Sequence, residues 1–546
     1  MTDRDSSIGG DGLTRHDRDL IRDVLARYPQ VRRVTLFGSR AMGTFGRGSD
    51  IDLALEGPGL DARTLTGIAT ELEDSDLPYK VDLLLRDDQL EPKLEAHIRR
   101  HGRPFGWEVT TLGGRINVKH GFAFKGEYFV ENATSDVLIT PGNFVTGGGF
   151  QGDKLKYYAG PIPDDYVLQT GDLVVTMTDL SKAGDTLGYP ALIPDSPGRR
   201  YLHNQRIGLV EIKEDAEVDK HFMFYRLCAS DYRNHILATA SGSTVHHTSP
   251  GRICEFETTL PPIHEQRAIA RVLGALDDKI EQNRRTAQAL ERLARAIFRA
   301  WFVDFEPVKA KAAGATAFPS MPQPVFDALP IRLVDSEIGL VPEGWDVGAL
   351  KDLATLSKTQ IKPQENKTGI FDHFSIPAFD AGMRAVVESG SAIKSNKFLV
   401  VEGCVLLSKL NPRIPRVWLP PPPRGRQQIA STEFLVFLPR SVFDRYYLYC
   451  QFQQVAFRDE LAQGASGTSN SHQRVRPNDL LEKVVVVPPT SIRKGFADIA
   501  GPIFALAATN HVESATLAEM RDYLLPKLLS GAVRVNEPKR FADEVV

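Results

Sequence analysis

The sequence is poor in cysteine and lacks long apolar runs. Its 546 residues include only four cysteines, which are far apart and form no CxxC pair, so neither a disulfide framework nor a zinc knuckle is expected. No stretch approaches the ~18 consecutive apolar residues that a membrane helix needs. The polar, acidic start MTDRDSSIGGDGL matches neither a signal peptide nor an arginine-rich transit peptide. These absences predict a cytoplasmic protein with no membrane partner.

The sequence also lacks an excess of positive charge. Its net charge is −3, from 66 basic and 69 acidic side chains, but residues 107–262 carry −5 and residues 345–489 carry +5. Nucleic-acid binding would therefore depend on local basic patches. A hydrophobic content of 42% is ordinary for a globular protein. The length corresponds to three or four domains of about 100–200 residues each.

The chain repeats itself once. FGWEVTTLGG around Trp107 resembles EGWDVGALKD around Trp345, and GDLVVTMTDLS resembles GCVLLSKLNP further on. The segments that end at Pro262 and Pro489 match as well, and each is followed by a long helical pattern. Because these matches occur in the same order, we predict a duplicated globular unit, each copy followed by a helix.

Apolar or small residues recur with alternating steps of three and four in both helical patterns, which is the 3.5-residue period of a coiled coil. The helices are predicted over 264–305 and 492–529. We expect them to pack antiparallel and to separate the two globular units. The alternative is two independent amphipathic helices, each packed on its own domain. The two predicted seams are Ile269, Leu273, Leu276, Ile280, Asn283, Ala287, Leu290, Ala294, Ile297 and Trp301, and Phe496, Ala500, Ile503, Ala507, Asn510, Ser514, Leu517, Arg521, Leu524 and Leu528.

Asn283 and Asn510 occupy equivalent positions in these seams. A buried asparagine in a seam costs stability but fixes register and partner. Between the helices, a segment rich in alanine and proline predicts an extended linker. The fold class is therefore multidomain α/β. The predicted parts are 1–105, a small α/β domain; 107–262 and 344–489, the two α/β copies; 263–305 and 490–531, the helices; 306–343, the linker; and 532–546, a tail.

The N-terminal domain lies outside the duplication and carries the most chemically specific stretch, VTLFGSRAMGTFGRGSDIDLAL. Gly38-Ser39 follows a predicted strand and begins a helix, so the backbone can approach a phosphate closely. After ten intervening residues, Asp50 and Asp52 share one face of a second strand. Asp82, in the third strand YKVDLLL, suits a third carboxylate. Together they predict a site for a pair of divalent cations that lowers the pKa of an attacking group and neutralises a leaving pyrophosphate.

An Asp-x-Asp pair alone would be compatible with solvated residues at a strand end. With the Gly-Ser pair at this spacing, however, the stretch resembles the minimal nucleotidyltransferases of the polymerase-β superfamily. That resemblance implies phosphate contact by Gly38 and Ser39, and catalysis through metal ligation by Asp50, Asp52 and Asp82. It further implies Mg²⁺ as cofactor and a nucleoside triphosphate as substrate. Many relatives are antitoxins that transfer a nucleotide to a partner protein.

The boundaries of the repeat carry a second resemblance. The segments PPIHEQRAIARVLGALDDKIEQNRR, WFVDFEPV and VPEGW, together with the duplication, resemble a type I restriction-modification specificity subunit over 107–530. The resemblance implies two target-recognition domains, each of which recognises one half of a bipartite sequence in double-stranded DNA. It also implies that the helices set the gap between the halves and dock two methyltransferase subunits, which a restriction/translocase subunit joins. Such a subunit has no catalytic residues of its own.

Basic side chains in the two copies are candidates for DNA contact, because arginine and lysine bind phosphates or guanine edges. The acidic surplus of the first copy is contrary to what a DNA-binding domain would ordinarily show. The candidates are Lys154, Lys156, Lys182 and Arg206 in the first copy, and Lys394, Lys409, Arg413 and Arg474 in the second.

These observations favour DNA recognition within a restriction-modification complex as the main function. An alternative is a metal-dependent nucleotidyltransferase that uses the repeats as a targeting adaptor. A third hypothesis is an inactive N-terminal domain that serves only for docking.

Overall fold

The computed structural model describes residues 11–25, 27–28, 30–31, 33–87, 90–105, 107–179, 181, 184–242, 245–464 and 473–535. The chain divides into two compact units, and each is described by itself. Unit 1 comprises residues 1–279 and 517–546, and unit 2 comprises residues 280–516. Across the described residues, the structure has no helix that is both long and apolar enough to cross a membrane.

The N-terminal domain is a four-stranded sheet with helices, in the sheet order β3-β2-β1-β4. Its strands cover a core that includes Leu36, Ile51 and Leu53, all nearly inaccessible to solvent. The predicted helix after Gly38 and the two strands that carry aspartates are present. The elements are α1 Arg15–Leu25, β1 Arg33–Phe37, α2 Gly38–Met42, β2 Ile51–Glu56, α3 Ala62–Glu73, β3 Val81–Leu85, α4 Pro92–His101 and β4 Arg103–Pro104.

The first repeat copy is an α/β domain with two larger sheets, in the orders β10-β14-β8-β9-β7 and β13-β11-β15-β6. A separate pair, β5 and β17, joins its beginning to its end. The elements are β5 Glu108–Thr111, β6 Ile116–His120, β7 Phe129–Val130, β8 Asp136–Leu138, β9 Lys156–Tyr158, β10 Val167–Leu168, β11 Leu173–Thr176, β12 Thr178–Asp179, β13 Pro190–Leu192, β14 Arg200–Leu202, β15 Ile207–Ile212, α5 Lys220–Cys228, α6 Ser230–Thr239, β16 His246–His247, α7 Pro250–Cys254 and β17 Glu257–Leu260.

The first long helix, α8, runs over Ile263–Phe302 and ends three residues before the predicted Phe305. Phe305 itself adopts a left-handed backbone conformation, with φ 51°, and so cannot belong to the helix. At the other end, the Gln266 side chain anchors the helix, because its nitrogen donates to the carbonyl oxygens of Glu217 and Pro261.

The linker differs from the extended connection that the sequence predicts. It contains the helices α9 Glu306–Ala312 and α10 Gln323–Asp327 and the hairpin β18 Leu333–Ser336 with β19 Gly339–Pro342. Val308 and Phe326 are buried in the core of unit 2. Burial of these apolar side chains, together with the helix-forming VKAKA stretch, outweighs the extended preference of the prolines.

The second repeat copy has two larger sheets as well, in the orders β22-β25-β28-β23-β24 and β21-β29-β26-β27. The pair β20 and β30 joins its beginning to its end. The elements are β20 Asp346–Ala349, β21 Ala354–Ser357, β22 Gln360–Ile361, β23 Ile370–Phe374, α11 Ile376–Asp380, β24 Val386–Ser389, β25 Lys397–Leu399, β26 Val405–Ser408, β27 Val417–Trp418, β28 Gln427–Ala430, β29 Phe434–Pro439, α12 Asp444–Gln453, α13 Val455–Gln463, α14 Pro477–Leu481 and β30 Val484–Val487. The second long helix, α15, follows over Thr490–Leu529.

The two copies share one topology. Their four-stranded sheets place corresponding strands in the same order, with the matched segments at Leu173–Thr176 and Val405–Ser408 in equivalent inner strands. Each five-stranded sheet contains one parallel pair, β8 with β14 and β23 with β28. Each copy also closes with two helices, a short helix and a final strand before its long helix. This agreement supports the predicted duplication.

The two long helices contact each other within each unit. In unit 1, Nη1 of Arg521 on α15 donates to Oδ1 of Asp277 on α8 at 2.8 Å. In unit 2, the ring centroids of Trp301 on α8 and Phe496 on α15 are 6.0 Å apart. The beginning of α8 thus meets the end of α15 in unit 1, and the end of α8 meets the beginning of α15 in unit 2. Every predicted seam residue is buried or half-buried.

Candidate functional sites

The N-terminal sheet brings its predicted site residues to one edge. Strand β1 ends at Phe37, and Gly38 and Ser39 begin α2 directly after it. Asp52 pairs with Phe37 in the antiparallel register and with Asp82 in the parallel register of β3. Asp50 immediately precedes β2. The Gly-Ser turn and the carboxylates therefore meet where these strands and α2 adjoin.

Gly38 lies against the carboxylate of Asp52. Its φ is +69°, and a Cβ atom built on it would stand 2.2 Å from Oδ2 of Asp52. Any side chain at this position would therefore displace the carboxylate, in addition to the strain of a left-handed backbone. Glycine is required at position 38 because the Asp52 carboxylate lies close to its Cα and because its backbone is left-handed.

The carboxylates influence one another electrostatically. Partial burial raises the pKa of Asp52, and the negative charges of Asp82 and Asp50 raise it further. The cations Arg40 and Lys80 oppose this effect. Such crowding of negative charge is what a bound cation would relieve.

Lys80 is a residue of this edge that the sequence analysis did not identify. Its Nζ lies 2.6 Å from Oδ1 of Asp82, two residues along the same strand direction. This hydrogen bond and the charge of Asp82 raise the pKa of Lys80. The sequence did contain a signal for this contact, because Lys80 is two residues before the predicted ligand Asp82 and the two can lie on the same face of a strand.

The donor set fits Mg²⁺ in kind, because all three predicted ligands are carboxylates. Within the part of the chain that the structure describes, however, no three histidine, cysteine, aspartate or glutamate side chains are arranged to hold a metal ion. Lys80 holds an oxygen of Asp82 instead. Magnesium binding by Asp50, Asp52 and Asp82 therefore stays a prediction.

The DNA-contact candidates of the first copy are exposed where the structure describes them. Lys154, Lys156 and Arg206 are exposed, and Nζ of Lys156 lies 4.8 Å from the ring centroid of Phe129. Lys182 lies outside the described residues. Arg200, another exposed basic side chain of this copy, forms an ion pair with Asp136 at 2.7 Å.

Three candidates of the second copy are brought together. The backbone nitrogen of Val475 donates to the carbonyl oxygen of Lys409, and the backbones of Leu410 and Arg474 form an antiparallel β-bridge. Lys409, Arg413 and Arg474 thus belong to two adjoining segments, although Arg474 also pairs with Glu433 at 3.0 Å. Lys394 is exposed on a different segment.

The helix seams contain the two predicted asparagines in unit 2. Asn283 is 2% exposed, and Asn510 is half-buried. Among the described residues, neither side-chain nitrogen has a hydrogen-bond partner. Burying an unpaired amide costs free energy of folding, of order 1–3 kcal/mol.

Family comparisons assign two parts of the chain. Residues 19–105 match the polymerase beta nucleotidyltransferase family, and residues 104–292 match the type I restriction modification DNA specificity domain. The chain joins a nucleotidyltransferase domain to a type I specificity domain. Both predicted resemblances are confirmed.

Curated relatives of the chain are type I specificity subunits. The MjaIX specificity subunit of Methanocaldococcus jannaschii is 25% identical over 60% of this chain and 72% of its own length. The HindI specificity subunit of Haemophilus influenzae is 23% identical over 57% of this chain and 77% of its own. A crystal structure of the S subunit from M. genitalium aligns with 14% identity and a TM-score of 0.48, over 77% of this chain and 96% of that one.

Gly38 provides a test of the geometry of the nucleotidyltransferase domain. We expect Gly38→Ala to lower nucleotide transfer by at least about 100-fold, because the new methyl group displaces the carboxylate of Asp52. Gly43→Ala is the matched control: its φ is +73°, but no atom lies within 4 Å of the added Cβ. It should cost only backbone strain of about 1–2 kcal/mol. Equal transfer rates for the two variants, measured with labelled ATP, would contradict this geometry.

Proposed function

We propose that this chain recognises a bipartite, asymmetric DNA sequence as the specificity subunit of a type I restriction-modification complex. The observation that carries this proposal is the pair of α/β domains with one topology and opposite net charge, each followed by a 40-residue helix. Because the copies differ strongly in sequence and charge, they would recognise different half-sites. DNA-binding modules on a rigid spacer require half-sites about one helical turn apart.

The two long helices would act as the spacer. Forty residues of α-helix extend about 60 Å. We propose that α8 and α15 form one antiparallel coiled coil and that it separates the target-recognition domains. The contacts within each unit, Asp277 with Arg521 and Trp301 with Phe496, support this pairing. Asn283 and Asn510 would fix its register.

The partners would be those of the curated relatives' systems. Two methyltransferase subunits would dock on the helices, and restriction/translocase subunits would join the assembly. The chain would then act in the cytoplasm, where the target DNA would be. Its own contribution is recognition and spacing, because the recognition domains need no catalytic group.

The adjoining Lys409, Arg413 and Arg474 are the strongest candidates for contact with DNA. Arg474 forms the β-bridge with Leu410, and Lys409 is next to it in sequence, so such clustering would concentrate positive charge in a domain of net charge +5. Lys154, Lys156, Lys182, Arg206 and Lys394 would add separate contacts to phosphates or base edges.

DNA binding by the complex with its methyltransferase tests this proposal. Replacing Lys409, Arg413 and Arg474 with alanine should weaken binding and reduce the slope of log affinity against log salt by up to about three, since each phosphate contact contributes about 0.9. Lys309→Ala is the control, because this exposed lysine belongs to α9 in the linker. An unchanged slope in the triple variant would exclude these three residues from the interface.

A second function is favoured by the carboxylates at the sheet edge. We propose that the N-terminal domain is a Mg²⁺-dependent nucleotidyltransferase that takes a nucleoside triphosphate. Gly38 and Ser39 would contact phosphate, and Asp50, Asp52 and Asp82 would hold the metal. A partner protein would be the acceptor of the nucleotide. Release of labelled pyrophosphate from the nucleoside triphosphate by the intact chain, in the presence of Mg²⁺, tests this proposal.

A further inference from the structure

Arg40 is almost entirely inaccessible to solvent, with 1% exposure, yet no carboxylate forms an ion pair with it among the described residues. In the part of the chain that the structure describes, its guanidinium group donates only to backbone carbonyl oxygens. Nη2 reaches the oxygen of Ser49 at 2.7 Å, Nε reaches that of Asp50 at 3.1 Å, and Nη1 reaches that of Asp11 at 2.9 Å. A buried charge is costly unless it is hydrogen-bonded, and each of the three guanidinium nitrogens donates to a carbonyl oxygen here.

The same side chain packs between two aromatic rings. Its Cζ lies 4.3 Å from the ring centroid of Tyr79 and 5.4 Å from that of Phe45. Tyr79 precedes β3, the strand that carries Asp82, by two residues. Arg40 itself is the residue after Ser39 in α2. One guanidinium group therefore touches the segments that carry all of the predicted site residues.

We propose that Arg40 is the positioning residue of the nucleotidyl-transfer site. Its burial leaves almost no surface for contact with nucleotide or metal. It holds three parts of the site in fixed positions relative to one another. These are the Gly-Ser turn, the backbone at Asp50 and the segment that leads into the strand of Asp82. This inference rests on the proposed nucleotidyltransferase function, but its test separates the two.

The geometry requires an arginine specifically. Its planar group offers five N–H donors in a fixed arrangement and stacks on aromatic faces, whereas a lysine offers three donors from one atom. Lysine could therefore keep the positive charge near Asp52 but could not reach the carbonyls of Ser49, Asp50 and Asp11 together. A role that depended on charge alone would survive this substitution.

The experiment compares Arg40→Lys and Arg40→Ala with Arg47→Ala in the full-length chain. Arg47 is the matched control, because it is an exposed arginine in the segment between α2 and Asp50. Transfer from labelled ATP is measured over a range of ATP concentrations. Guanidinium ion is then added to Arg40→Ala, and thermal unfolding is followed for each variant.

We expect both Arg40 variants to lose kcat by about 100-fold with little change in KM for ATP, since a misplaced reacting group costs about that much. Added guanidinium should restore part of the kcat of Arg40→Ala, which a purely structural role would not produce. Arg47→Ala should retain the parent kcat. If Arg40→Ala does not fold, reduced kcat in a folded Arg40→Lys carries the same conclusion.

Parent-like kcat in Arg40→Lys would overturn the positioning role while leaving nucleotidyl transfer intact. A loss of kcat in Arg40→Ala that guanidinium does not reverse, together with a lowered unfolding temperature, would reduce Arg40 to a purely structural residue. Absence of transfer by the parent chain itself would instead refute the proposed nucleotidyltransferase, and this inference would fall with it.

Discussion

Asp50→Asn and Asp52→Asn should each abolish nucleotide transfer, with a loss of at least about 1000-fold. The substitution keeps the size of the side chain but removes a charged oxygen from the proposed metal site. Asp82→Ala should impair transfer severely as well, because Asp82 pairs with Asp52 in the parallel register. Transfer of labelled nucleotide from ATP, to the chain itself or to a partner protein, measures the effect in the presence of Mg²⁺ or Mn²⁺.

The same aspartate variants should leave DNA recognition unchanged, because both copies of the duplicated domain and both long helices lie outside residues 1–105. Asp87→Asn is a further control, since Asp87 follows β3 outside the predicted ligand set. Full transfer by Asp52→Asn would refute the assignment of the site. A changed methylation motif in Asp50→Asn would show that the N-terminal domain takes part in DNA recognition.

Lengthening both long helices should lengthen the spacer between the two halves of the DNA site. Seven residues preserve the period of the seam and add about 10 Å. That rise corresponds to at most about three base pairs of B-DNA. The insertions are made between residues 279 and 280 and between residues 516 and 517, where the two compact units divide the helices. Sequencing of methylated sites in cells measures the spacer.

The control for this experiment is a seven-residue insertion at Gly314. This glycine is exposed in the linker, has φ +91°, and has no atom within 4 Å of a built Cβ. The spacer should remain that of the parent chain in this control. An unchanged spacer after the helix insertions would refute the spacer role of the helices.

Much of the architecture could be predicted from the sequence because it depends on periodic patterns. Both long helices were located to within three residues of their ends, and every predicted seam residue is buried or half-buried. The repeat was visible because corresponding inner strands keep similar apolar sequences. The prediction of an extended linker was wrong. Proline and alanine content does not indicate whether side chains such as Val308 and Phe326 will be buried in a core.

The site at the N-terminal sheet edge could be predicted in part. Strand alternation and the Gly-Ser spacing predicted which residues come together. The structure agrees for two of them, since the parallel register places Asp52 beside Asp82. Arg40 and Lys80 escaped prediction. Their positions depend on tertiary contacts, a buried set of carbonyl oxygens for Arg40 and a neighbouring carboxylate for Lys80, that no local pattern encodes.

The most direct test of the main function is methylome sequencing of cells that carry the complete system, compared with cells in which only this chain is deleted. The expected result is one asymmetric, two-part methylated motif that is present with the chain and lost without it. Exchange of residues 107–262 for the corresponding domain of a relative should alter one half of that motif and leave the other half unchanged. A motif that persists without the chain, or that has no two-part form, would contradict DNA recognition by the duplicated domains.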